Sequence, residues 1–157
     1  MDGTEPGVIG ERFRTGYRYS SPLAINKTTC LRARAVKSGW KPSEADTQTY
    51  IFINQVVNQP VNPPGFPTLW GSTSADYEMD PDIVNSHLTT IKDDLKSLPA
   101  MSLVMNLADL FDTSTGIYTN WGSRGDAWER PGSIEYFGPD DPEGIQVNCG
   151  VRLYGGV

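Results

Sequence analysis

Apolar and polar positions alternate with a period of two over residues 28–36. Thr29, Leu31, Ala33 and Ala35 fall on one side, and Cys30, Arg32, Arg34 and Val36 on the other. A period of two is that of a pleated strand, and it predicts a half-buried β-strand whose arginines face water. Residues 38–43, with Gly39 and Pro42, read as a turn, and 47–53, rich in Thr, Tyr, Ile and Phe, as a further strand. Residues 17–26 predict two short strands around the Ser21-Pro22 turn. Short strands separated by Gly and Pro turns predict a small antiparallel sandwich.

The pattern changes after residue 53. Residues 58–67 carry Pro60, Pro63, Pro64 and Pro67, the composition of an extended linker or surface loop. Asp80-Pro81-Asp82 reads as a helix start. Val84, Leu88, Ile91, Leu95 and Leu98 then recur at spacings of four and three, predicting one apolar stripe on a helix over 86–97 that Pro99 ends. Residues 102–105 predict a short buried strand and 107–111 a helical turn capped by Asn106. Strands at 133–137 and 145–154 are joined by the acidic turn 138–144. The expected fold is mixed, an incomplete antiparallel, immunoglobulin-like β-sandwich (1–53), a Pro-rich linker (54–75) and a small α+β segment (76–157).

Composition bounds the functions. Leu, Ile, Val and Phe make up 34 of 157 residues, just above the roughly 20% below which highly charged chains stay disordered. A modest core is therefore affordable, and the 16 Gly and 12 Pro make it turn-rich. No apolar run reaches the roughly 18 residues of a spanning helix. The net charge of −6 is the wrong sign for a general nucleic-acid binder. The charge is uneven. Residues 1–50 hold eight Lys and Arg against five acids, and residues 51–157 hold five against 14, a shift that suggests two modules. The basic residues read as the solvated face of strands.

Candidate chemistry is sparse. Cys30 and Cys149 have no metal-ligand spacing and read as two small strand residues, with a bridge between modules as the alternative. His87 is the only histidine, and no nucleophile elbow or phosphate-binding loop occurs. Asp76, Glu78, Asp80 and Asp82 alternate as in a loose calcium site, but the EF-hand pattern fails at its sixth and twelfth positions, Pro81 and His87. The plainer reading is an acidic loop leading into a helix start, which favours negative charge. Trp121, in Asn120-Trp121-Gly122, and Trp70 are candidate sugar-stacking residues; the plainer reading is that tryptophans cover the core. The segment 1–7 has no signal-peptide pattern. Asp2-Gly3 reads as a hairpin turn without its incoming strand, and the chain is expected to be a fragment.

Two resemblances cover nearly the whole chain. Asp2-Gly-Thr-Glu-Pro6, the stretch from Tyr19 through Ile25, Thr28-Thr-Cys-Leu-Arg-Ala-Arg-Ala35, Gly39, Pro42-Ser43 and Tyr50 resemble the chitobiase/β-hexosaminidase C-terminal-like module, a small immunoglobulin-like sandwich. Asn62-Pro-Pro-Gly-Phe-Pro67, Asp76-Tyr-Glu-Met-Asp-Pro81, Leu103-Val-Met105, Gly116-Ile-Tyr-Thr-Asn120, Trp128-Glu-Arg-Pro131 and Gly150-Val-Arg-Leu-Tyr-Gly-Gly156 resemble the leading region of the bacterial spore-coat protein H (CotH) kinase-like family. In that family the nucleotide-contacting and metal-binding residues come after the Gly-Val-Arg stretch. The resemblance thus implies no catalytic residue in this chain, and ATP and a divalent metal only in a longer parent. Arg152 is the one residue it connects to the framework of a nucleotide site. It further implies a secreted or cell-surface bacterial protein whose partners are neighbouring domains of the same polypeptide. The alternative is a carbohydrate-binding accessory module meeting a surface glycan through Trp121 and Trp70.

Overall fold

The computed structural model describes residues 4–9, 12–13, 15–70 and 73–155; the expected turn at Asp2-Gly3 lies outside them. The architecture is mixed, with several small antiparallel sheets and a few short helices. Strand β1 (Val8–Ile9) pairs with β2 (Arg12–Phe13), and β3 (Thr29–Ala33) with β4 (Asp46–Tyr50), Cys30 standing opposite Thr49. The short helix α1 (Ile53–Val56) and the β5 (Leu69–Trp70) and β6 (Thr73–Ser74) pair follow. Helices α2 (Pro81–Ser86) and α3 (Ile91–Ser97) lead to β7 (Ala100–Val104), then α4 (Leu107–Phe111) and a 3₁₀ turn at Asp126–Trp128. Strands β8 (Arg130–Gly138) and β9 (Asp141–Val151) complete a three-stranded sheet in the order β7-β8-β9.

Local chemistry explains the elements that form where expected. Asn106 Oδ1 accepts from the Ala108 N–H at 3.0 Å and starts α4. Asp80 Oδ1 accepts from the Asp82 N–H at 2.8 Å, and Pro81 supplies the preset φ of a first helical position. The β8–β9 hairpin closes through an irregular register between Tyr136 and Gly138, and Gly144 takes φ 62° there, a conformation that favours glycine. The acidic turn is therefore tighter than expected, because β9 starts at Asp141.

Four expectations need correction. Residues 17–26 form no strand; their side chains are exposed or nearly so, and among the described residues no strand pairs with them. The strand at 47–53 stops at Tyr50, and α1 begins at Ile53. The single helix over 86–97 is two helices split by a turn at 87–90. The His87 N–H donates to both Ile83 O and Val84 O, Thr89 and Thr90 are β-branched, and exposed Leu88 has no packing to carry the helix through. Lastly, the arginines of the expected 28–36 strand do not face water. The Arg32 side chain is only 6% exposed and pairs with Glu5 at 3.0 Å, and Arg34 reaches the same carboxylate at 3.5 Å. An opposite charge in reach makes burial of a guanidinium tolerable.

The core is small. Among the described residues the buried apolar side chains are Ala45, Val57, Ala75, Val104, Met105 and Ile117. The three-stranded sheet turns its polar face inward. Residues opposite each other in register share a face, so Ser102, Ser133, Glu135, Gln146 and Asn148 lie together on the side toward β4. Met101, Leu103, Ile134, Tyr136, Ile145 and Val147 lie on the other side. A half-buried antiparallel sheet ordinarily does the reverse.

Candidate functional site

The polar seam between β4 and the three-stranded sheet is the most organised cluster of polar side chains. Glu135, at the middle of β8, is 2% exposed. Its Oε1 accepts from the Thr49 backbone N–H at 2.8 Å, and its Oε2 accepts from the Thr49 hydroxyl. Thr49 has one hydroxyl proton, given to the carboxylate, so the 2.8 Å contact with Ser102 Oγ is a bond that Ser102 donates. Asn148 Nδ2 donates to Ala45 O at 2.8 Å, and Gln146 Nε2 to Ser133 Oγ at 2.7 Å. Arg32 Nε donates to the fully buried Thr47 hydroxyl at 3.2 Å. Thr49 N–H belongs to the free edge of the β3–β4 pair, so Glu135 caps a sheet edge that would otherwise present an unmet donor.

Cys30 borders this seam. Burial pushes its thiol above the ordinary range, the nearby Glu135 charge adds to the shift, and a hydrogen bond with Thr49 and the Arg32 charge partly offset it. A raised thiol is a poor nucleophile at neutral pH. Both cysteines are free and half-buried on strands, without a bridge.

Arg152 lies in a shallow cleft with Arg124, Trp128 and Asn120. Its Nη1 is 2.6 Å from Asp126 Oδ1 and its Nε is 3.3 Å from Glu129 Oε2. Arg124 donates to the carbonyls of Trp121 at 2.6 Å and Gly155 at 3.2 Å. A phosphate entering here would meet two carboxylates along with Arg152, so these residues by themselves do not fit a polyphosphate.

The other expected site residues are dispersed. Asp76 Oδ1 accepts from Glu78 N–H, and Asp80 caps α2. No group of three or more His, Cys, Asp or Glu among the described residues is placed to hold a metal ion, so Asp76, Glu78, Asp80 and Asp82 are not brought together as a ligand set. Trp70 is built into an aromatic row. Its Nε1 donates to Tyr77 OH at 3.0 Å, and its ring meets Tyr77 and Tyr118 edge-on at 5.1 and 6.3 Å. Phe66 and Phe111 extend the row, and the Tyr77 N–H bond to Val61 O holds the Pro-rich stretch against it. Trp121 stays 61% exposed in a turn. Trp128 is half-buried beneath the Arg130 guanidinium.

The seam is what the sequence reading missed. Its signal was available, since Glu135 is the only charge within 131–138 and Ser133, Gln146 and Asn148 recur at strand period in two segments that pair.

Among the described residues no helix is long and apolar enough to cross a membrane. No curated protein and no solved structure matches the chain. Residues 1–50 match the model of a family described as Fn3 associated, so this stretch is similar to a fibronectin-type-III-associated, immunoglobulin-like module.

Proposed function

We propose that this chain is a non-catalytic accessory part of an extracellular or cell-surface multidomain protein of the CotH kinase-like kind. Its first module serves as a spacer, and its second part as scaffold beside the site that transfers phosphate in a longer parent. The observation that supports this reading is the polar seam. Glu135 and Asn148 bind the backbone of 45–49 directly, so the Fn3-associated stretch is clasped to the α+β part rather than tethered by the Pro-rich loop. A clasp of this kind transmits orientation, which a flexible linker does not. Modules of the Fn3-associated kind are typical of extracellular proteins, which supports the location.

Calorimetry of the intact chain, with tryptophan fluorescence followed in parallel, tests the clasp. One cooperative transition is expected, because the two parts share hydrogen bonds that neither can satisfy alone. Two separable transitions, with the first module melting independently, would refute the rigid-spacer reading. A second reading rests on the exposure of Trp121, a carbohydrate-binding accessory role. Retention on a polysaccharide that Trp121→Ala abolishes would favour it over the first.

A further inference from the structure

Between its two ends the outer face of the three-stranded sheet carries no charged residue. Met101 is 67% exposed, Ile145 63% and Val147 51%, and Leu103 and Tyr136 beside them are also exposed. A sheet whose polar side already faces its own chain keeps its main hydrophobic driving force in reserve on the other side. The surface area fits that picture. The chain exposes 11503 Å², whereas the scaling law for folded monomers gives about 7,800 Å² at 17.3 kDa. The surplus, roughly 3,700 Å², is spread over the whole chain, the exposed 17–26 stretch included, and the outer face of the sheet is one part of it.

Charge along the strands says what covers the face. The hairpin end of the sheet carries Asp140, Asp141 and Glu143, all exposed. The opposite end, where β8 begins and β9 finishes, carries Arg124, Arg130 and Arg152 against Asp126 and Glu129. One end is therefore strongly acidic and the other has a slight basic excess, with a neutral apolar face between them.

From this complementarity we infer that the face is a dimerisation surface whose occupant is a second copy of this chain. The two-fold axis lies in the plane between the sheets and perpendicular to the strands. That operator reverses strand direction, so the acidic hairpin of one copy lies over the arginine end of the other. A two-fold axis along the strands would set acid against acid and is disfavoured by the same charges. The contact is isologous and closes on itself, with two apolar sheet faces stacked about 10 Å apart.

Sedimentation of the full chain across micromolar concentrations tests this. A monomer–dimer equilibrium is expected. Val147→Asp places an unpaired charge at the centre of the face and weakens the dimer by about 100-fold or more. Because Val147 is half exposed in the single chain, circular dichroism should stay unchanged. The double variant Asp140→Lys/Glu143→Lys alters only exposed side chains at the sheet's end and weakens the dimer by about tenfold, less so at high salt. A chain that remains monomeric overturns the inference, and so does a dimer indifferent to Val147→Asp. Oligomers that grow without limit also overturn it, since they indicate pairing along the open edges of β7 or β9.

Discussion

Replacing Glu135 by Leu keeps the bulk of the side chain and removes both acceptors that Thr49 uses. The half-buried Thr49 N–H then loses the carboxylate it donates to, and the Thr49 hydroxyl is left with Ser102 alone. Hydrogen bonds to charged groups contribute about 1.5–3 kcal/mol each, and an orphaned buried donor costs about 1–3 kcal/mol. Relief of the carboxylate's own desolvation offsets part of this. The net loss expected for E135L is about 2–4 kcal/mol, a large share of the 5–15 kcal/mol typical of a folded domain. Glu135→Gln should cost only about 1 kcal/mol. Its carbonyl can accept from the Thr49 N–H, its amide can donate to the Thr49 oxygen, and the Thr49 hydroxyl can turn to donate to Ser102. Urea unfolding followed by circular dichroism measures both, and slopes of about 1–3 kcal/mol per molar place the E135L midpoint about 1–2 M below wild type. A double-mutant cycle with Thr49→Val should give a coupling of about 1–2 kcal/mol, because the two groups touch. If E135L unfolds within about 0.5 kcal/mol of wild type, or is more stable, the carboxylate is not what joins the two sheets.

Three further outcomes are expected. With its thiol raised chiefly by burial, Cys30 should alkylate more slowly at pH 8 than an unburied cysteine. The unfolded chain gives up this proton first, so the Cys30 contribution to stability is complete below the ordinary thiol range and falls as pH rises through it; Cys30→Ala should flatten that fall in a series of thermal melts. Gly144→Ala should destabilise the hairpin by about 1–3 kcal/mol, since the backbone there has φ 62° and a Cβ would lie 2.4 Å from the Tyr136 carbonyl oxygen; equal stability in urea would refute this. Asp112 is held below the usual carboxylate range by the N–H groups of Ser114 and Thr115 and the Thr115 hydroxyl, so the turn it organises should loosen as pH falls through its lowered titration, and Asp112→Ala should abolish that acid-dependent change in amide exchange at Ser114 and Thr115.

What the sequence determined is what neighbours within a few residues decide. Asn106 caps α4 and Asp80-Pro81 opens α2 because the donors they serve are two or three positions away. Strand β3 and the β8–β9 pair were legible from period-two alternation and from a turn with its own glycine. The resemblance connected Arg152 to a nucleotide-site framework, but nothing in the sequence pointed to its carboxylate partners, Asp126 and Glu129. Tertiary structure decided everything that depends on a partner far along the chain. Arg32 is buried because Glu5, 27 positions away, is there to pair with it, and Glu135 finds its acceptor role with Thr49 at a separation of 86. Leu88 is exposed while Val84, Ile91 and Leu95 of the same stripe are half-buried, so no packing carries the helix through that position. Alternation in 131–138 and 145–151 announces two faces but cannot say which is turned inward. That choice went to the polar face, because the free edge of β4 offers N–H and carbonyl groups that Glu135 and Asn148 can satisfy and apolar side chains cannot.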